Sequence, residues 1–210
     1  MRNSKSSAQH IAILIFEDCD LLDTGGPYEV FLTASRLAVR DGEDPPFSVD
    51  VVSVDGKPVK AYGGLGLTPT APPSILDTAD LVIVPGAIDL EEALANTALA
   101  AALSRSVDRD GTVVASVCTG AFLLGAVGAL EGKTWTTHWE DIDLLQTTVA
   151  DGATRGVRWV DNGPIVTGGA LSSGIAMSLH LVARMASSEL AERTAIQLDY
   201  DWTNTSLIVP

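Results

Sequence analysis

The residues Ser116-Val117-Cys118-Thr119-Gly120 set a thiol between two small residues, each two positions away. A β-branched run, Thr112-Val113-Val114, precedes them and a helical run rich in Ala, Leu and Gly follows, so the thiol falls where a strand turns sharply into a helix. This is the spacing of a nucleophile elbow, in which only small neighbours fit and the central side chain is pushed into a pocket at the helix N-terminus. Backbone N–H groups and the helix dipole at that point favour a thiolate, which predicts a Cys118 pKa below the free value of about 8.5 and faster alkylation of Cys118 than of Cys19. The same pattern also suits a buried structural cysteine. Asp23, expected in the loop after the first strand, is the carboxyl that could serve such a thiol. It reads as an exposed or helix-capping acid, and if it sits close to a thiolate it is expected to be protonated with a raised pKa, because neighbouring anions repel.

These groups must be carried by a scaffold, and the chain supplies one by alternation. Ile11 to Phe16, Phe47 to Val54, Leu81 to Val84, Thr112 to Val117 and Ile165 to Thr167 read as short strands, apolar enough to be buried on both faces. Between them lie helical runs: one opened by Pro27, one capped by Asp89 with Glu92 three residues on, one from Gly120, a short one from Glu140, and a pair from Ser173 and Ser188. Asn162-Gly163 marks a hairpin, and Gly63 to Pro73 a loop or hairpin. Repeated β-then-α units predict a mostly parallel sheet wrapped by helices on both faces. Ligands of such sheets collect at the carboxyl ends of the strands, which would gather Asp20 to Gly26, Pro85-Gly86-Ala87, Cys118-Thr119-Gly120 and Gly168-Gly169.

The 210 residues carry 13 Lys and Arg against 27 Asp and Glu, a net charge of −14, which disfavours binding to phosphate or anionic lipid. Apolar residues make up 46% and charged residues 19%, a globular balance. Such a length buries about 70% of the unfolded surface in one core. The boundaries expected are a disordered extension over 1–9, one domain over 10–200 and a tail over 201–210. Gly111 to Leu130 and Gly163 to Ala183 are free of charge but too rich in Gly, Ser and Pro for membrane spans. Two cysteines make no disulfide framework, and no secretory signal is visible, so a reducing cytoplasm is expected and Asn204-Thr205-Ser206 is an idle sequon. Cys19 is expected at the surface, or else as a redox partner for Cys118. The three histidines share no ligand spacing, so no metal is expected, and Gly63-Gly64-Leu65-Gly66 gives no dinucleotide signature.

Taken together, Leu22 to Phe31, Val84-Pro85-Gly86, Ser116 to Leu124, Thr136-Thr137-His138-Trp139 and Thr167-Gly168-Gly169 through Gly174-Ile175 resemble the ThiJ/PfpI superfamily. The likeness runs from Ile11 to Leu198. It is strongest to the branch holding isonitrile hydratase and the amidase-like N-terminal domains of AraC-type regulators. The resemblance implies a flavodoxin-like, class I glutamine amidotransferase-like α/β/α sandwich, a homodimer and no cofactor. It further implies attack of Cys118 on an isonitrile carbon, proton exchange by Asp23, and orientation of the adduct by Thr119. The substrate would be a small electrophile bound near Gly86, Ala87 and His138. Sensing without turnover, or action on glyoxals and glycated thiols, are the alternatives within the superfamily. The residue after the cysteine is Thr119 rather than the His of protease-like members, which removes a neighbouring Cys-His dyad. Ala87 replaces a second glycine after Pro85-Gly86, narrowing the pocket by a methyl while keeping a backbone N–H, and Ala176 replaces a frequent acid. For His138 the simpler reading is a half-buried ring in a loop anchored by Trp139.

Overall fold

The computed structural model describes residues 8–149, 151–203 and 206–208. A seven-stranded sheet runs in the order β2-β1-β5-β6-β8-β7-β9, made of β1 (Gln9–Ile15), β2 (Phe47–Ser53), β5 (Leu81–Val84), β6 (Val113–Ser116), β7 (Trp159–Asp161), β8 (Ile165–Gly168) and β9 (Leu207–Ile208). The first five in that order are parallel, and β7 returns antiparallel to β8 through the turn at Asn162-Gly163. A small antiparallel pair, β3 (Val59–Lys60) and β4 (Gly66–Leu67), lies apart from the main sheet.

The pleat sends successive side chains to opposite faces, and both faces are covered. Ile11, Ile13, Leu81 and Ile83 point to one side, where α1 (Leu21–Arg40), α6 (Ser173–Met185) and α7 (Ser188–Gln197) supply Val30, Phe31, Leu179 and Leu190. Ala12, Leu14, Val82 and Val84 point to the other, against Leu99, Leu103, Phe122 and Leu145 from α3 (Thr97–Val107), α4 (Gly120–Ala126) and α5 (Ile142–Thr148), with α2 (Leu90–Ala95) alongside. Each large side chain so buried contributes about 1.5–3 kcal/mol. Two-sided burial is why these strands are continuously apolar instead of alternating. The chain is therefore a single α/β domain with a mostly parallel sheet between helical layers.

Several boundaries differ from the sequence expectation. Pro27 does not open the first helix; α1 begins six residues earlier at Leu21, capped by Asp20, whose side chain accepts from Leu22 N at 3.0 Å. Gly25 and Gly26 mimic a loop, but Gly26 is small because α6 passes close: a Cβ there would stand 3.0 Å from Ile175 Cγ1. Asp23 consequently lies in the first turn of a helix and not in a loop. Asn96 divides the Ala-rich helix into α2 and α3, and its side chain accepts from Leu99 N at 3.0 Å. At the C-terminus, Trp202 Nε1 donates to Ala176 O at 3.2 Å and β9 pairs with β7, so packed chain continues past residue 200. Residues 1–7 of the expected extension, and Asn204 and Thr205 of the sequon, lie outside the described residues. The two charge-free stretches become β6 with α4 and β8 with α6, and among the described residues no helix is long and apolar enough to cross a membrane.

The β7–β8 hairpin is tied to α6 by a buried polar cluster. Asp161 meets His180 Nε2 at 2.6 Å and Arg184 Nη1 at 3.1 Å, and accepts from Gly163 N at 2.7 Å, while Trp159 stacks on the His180 ring at 3.7 Å. Burial pushes the Asp161 carboxyl up, but His180, the Gly163 N–H and the Arg184 guanidinium outweigh it and hold the pKa below the ordinary value. A depressed carboxyl stabilises the fold above its unfolded pKa and loses that stabilisation as pH falls through its folded one. Asp161→Asn is expected to cost roughly 3 kcal/mol at neutral pH, with a smaller penalty below pH ~3. Urea titrations at the two pH values check this.

Candidate active site

The elbow forms where the sequence places it. β6 ends at Ser116, α4 starts at Gly120, and Cys118 between them adopts φ +54°, in the left-handed region that residues with a Cβ seldom occupy. Three hydrogen bonds hold this shape. Cys118 N donates to Gly169 O at 2.8 Å, Thr137 Oγ1 donates to Cys118 O at 2.8 Å, and Gly120 N donates to Val117 O at 2.9 Å. Gly120 is required by proximity: a Cβ there would lie 2.5 Å from Val84 O and 2.8 Å from Pro85 O, so any side chain would drive α4 off the end of β5.

Gly86 is the second close approach. Its N–H donates to Asp23 Oδ2 at 2.9 Å, and a Cβ at this position would stand 2.9 Å from that oxygen and 2.6 Å from Thr119 Oγ1. Asp23, Gly86 and Thr119 therefore meet beneath the elbow. Thr119 Oγ1 donates to Ala87 O and accepts from Ala87 N, both at 2.9 Å. The backbone N–H that Ala87 retains is thus engaged by Thr119, and the hydroxyl is engaged in turn. The loop is fixed from its other side by Asp20 N donating to Gly86 O at 2.8 Å and by a single antiparallel bridge between Cys19 and Ala87.

Above these residues opens a pocket of about 280 Å³, lined by Cys118, Thr119, Ala87, His138, Leu171 and the acids Asp20, Glu140 and Asp141. Sequence reasoning placed Cys118, Thr119, Ala87 and His138 here, and the structure brings them together. Leu171 carries no motif of its own, and the acidic run Glu140 to Asp143 reads from sequence as a solvated face and helix N-terminal charge, so none of Leu171, Glu140 and Asp141 was expected here. Trp139 anchors nothing: it is 67% exposed, and the buried Thr136 and Thr137 hold the segment instead. Thr136 N donates to Thr167 Oγ1 at 3.0 Å. His138 Nδ1 faces Asp141 at 3.4 Å and Glu140 at 3.8 Å. Cys19 is fully buried, contrary to the expected surface position, and burial raises its pKa. Among the described residues no cluster of His, Cys, Asp or Glu could hold a metal ion.

The electrostatics reverse one expectation and match another. The Cys118 thiol is pushed up to about 12, first by burial and then by the charge of Asp23, whereas the helix N-terminus was expected to lower it. The seven-residue α4 offsets little of the cost of a desolvated anion. Asp23 is raised to about 8 by burial, against the lowering effect of the Gly86 N–H. At neutral pH both groups hold their protons. Asp23 Oδ1 is buried with no hydrogen-bond partner, which leaves Oδ1 free to present a proton while Oδ2 is held by Gly86.

The DJ-1/PfpI family model matches residues 9–184, and that span includes every residue of the elbow and the pocket. The chain belongs to the DJ-1/PfpI family. Isonitrile hydratase of Pseudomonas putida is 33% identical over 193 residues, which covers 92% of this chain and 79% of that protein. The HTH-type transcriptional regulator CdhR of Pseudomonas aeruginosa is 29% identical over 147 residues, 70% of this chain but 43% of the regulator. A solved ThiJ/PfpI family protein from Pseudomonas syringae superposes with a TM-score of 0.78 at 25% identity, covering 94% of this chain and 77% of that one. The proteins this chain is similar to thus include both an isonitrile hydratase and a transcriptional regulator.

Because its folded pKa exceeds the unfolded value, Asp23 favours folding at low pH and costs stability as pH climbs from 3.8 toward about 8. Asp23→Asn is expected to remove that decline, so the variant gains on the wild type between pH 5 and pH 8 in chemical denaturation. Gly86→Ala is expected to break the Asp23 contact and to lower thermal stability by several degrees, consistent with a loss of about 1–3 kcal/mol.

Proposed function

We propose that the protein is a cysteine-dependent hydratase that adds water to isonitriles and releases N-substituted formamides, without a cofactor. The observation that carries the reading is the neutral pair: a protonated Cys118 at the elbow and a protonated Asp23 whose Oδ1 has no partner. An isonitrile carbon is both basic and electrophilic, so its activation calls for a proton as well as a soft nucleophile.

In the first step Asp23 gives its proton to the isonitrile carbon and takes up the thiol proton as Cys118 sulfur bonds to that carbon, leaving a thioimidate, R–N=CH–S. In the second, Asp23 protonates the nitrogen and accepts a proton from a water that adds to the carbon. The third step breaks the carbon–sulfur bond, frees the formamide R–NH–CHO and returns a proton to sulfur through Asp23. No thiolate need exist in the empty enzyme, because the thiol ionises only as the substrate accepts a proton. Thr119 acts as a positioning residue, fixing Ala87 against the elbow, while Gly86 orients Asp23.

Regulators among the relatives favour a second reading, binding or oxidation of Cys118 without turnover, and the same assay separates the two. Incubation with a small alkyl isonitrile is expected to yield formamide at a rate that falls above pH ~8 as Asp23 ionises. Cys118→Ala and Asp23→Asn are each expected to lower kcat by at least about a hundredfold. Absence of formamide across alkyl and aryl isonitriles would discard the hydratase reading in favour of sensing.

A further inference from the structure

The mouth of the pocket carries charge of one sign. Asp20, Glu140 and Asp141 line it together with Cys118, and no Lys or Arg stands among the lining residues. Asp20 is fixed there twice, by its backbone N–H on Gly86 O and by its side chain capping α1 at Leu22 N. Asp141 and Glu140 are held on the far side around His138 Nδ1. Glu140 keeps its side chain 63% exposed and Asp141 31%. Asp23, whose Oδ1 is buried without a partner, lies behind this lining and is joined to it through Gly86, the neighbour of Ala87. A molecule in this cavity of about 280 Å³ shares it with three acidic side chains as well as with the sulfur.

We propose that the pocket selects small electrophiles by the charge of their tails, favouring those that carry an ammonium group and rejecting those that carry a carboxylate. This rests on the hydratase reading for the identity of the reacting group, and on the lining alone for the sign of the tail. The reacting carbon sits at Cys118 while the tail points out between Asp20 on one wall and Glu140 with Asp141 on the other. A cationic tail there meets two or three carboxylates within one Debye length, and an anionic tail is repelled by the same groups. His138 turns its Nδ1 toward the two outer acids, 3.4 Å from Asp141 and 3.8 Å from Glu140.

Three small isonitriles decide the matter: propyl isonitrile, 2-(trimethylammonio)ethyl isonitrile and isocyanoacetate. At low salt and pH 7.5, kcat/KM is expected to rank cationic over neutral over anionic, with about tenfold between the extremes or more. The spread should shrink at ~1 M salt, where the Debye length falls to about 3 Å. Asp141→Asn with Glu140→Gln, or Asp20→Asn, which retains a capping side chain, should narrow it as well. Equal kcat/KM for the three substrates would overturn the proposal and leave the hydratase standing.

A readout independent of turnover accompanies these rates. Cationic and anionic alkyl methanethiosulfonates each convert the Cys118 thiol to a mixed disulfide, releasing methanesulfinate and a proton. Their rate ratio at Cys118, located by mass spectrometry, is compared with the ratio on free 2-mercaptoethanol. A ratio several-fold more favourable to the cation on the protein, reduced in the acid-neutralised variants, supports the proposal even if no isonitrile is hydrated. The ratio of the free thiol overturns it.

Discussion

Cys118 sits at φ +54° between β6 and α4, a backbone shape that costs a residue with a side chain about 1 kcal/mol or more and persists only where its surroundings hold it. The surroundings here are Gly169 O, which accepts from the Cys118 N–H, and Thr137, whose hydroxyl donates to the Cys118 carbonyl. Gly120 completes the arrangement by letting α4 start against the carbonyls at the end of β5. If β8 or the Thr136-Thr137 segment shifted, the thiol would swing away from the cavity. The rest of the site depends on this turn, because the hydroxyl of the next residue, Thr119, fixes the Ala87 loop, and that loop presents Gly86 to Asp23.

The chemistry available at the site follows from desolvation more than from the helix dipole. A seven-residue helix offers its N-terminus to Cys118, yet burial beside Asp23 and Asp20 outweighs it and keeps the proton on sulfur. Asp23 keeps its proton for the same reason. Two neutral acids close together would let a proton pass between sulfur, carboxyl and substrate in the proposed reaction without an isolated buried anion. That suits addition across a bond whose carbon must gain a proton and a sulfur together. It is less suited to peptide cleavage, which needs a base to activate the nucleophile; the position after the cysteine, where protease-like members carry a His, is Thr119 here.

Much of this was legible in the sequence, and what was not has physical reasons. The strands Ile11 to Ile15 and Leu81 to Val84 announce themselves because two-sided burial leaves no room for polar residues. The elbow is legible because close packing of strand and helix demands Ser116 and Gly120 at fixed distances from Cys118. The start of α1 was not, since Gly25, Gly26 and Pro27 carry loop chemistry while tertiary contact with Ile175 dictates the small residue. Misplacing that boundary put Asp23 on a loop, when its reach to Gly86 comes from the rigid first turn of a helix. The thiol's proton was misjudged because a pattern of residue types shows a helix end but not the burial around it. Glu140 and Asp141 were taken for solvated acids, since nothing local shows that the segment after Thr137 folds back over Cys118.

The pocket is assembled from Asp20, Ala87, Cys118 with Thr119, His138 to Asp141, and Leu171, segments far apart in sequence that meet near the carboxyl ends of β1, β5 and β6. No fragment of the chain contains two of these segments in contact without the parallel pairing between them, and parallel pairs close only over long crossovers. The site is thus a late and cooperative product of folding, present when the whole sheet is registered and absent otherwise. The reactivity of one thiol therefore reports the integrity of a structure most of which it never touches.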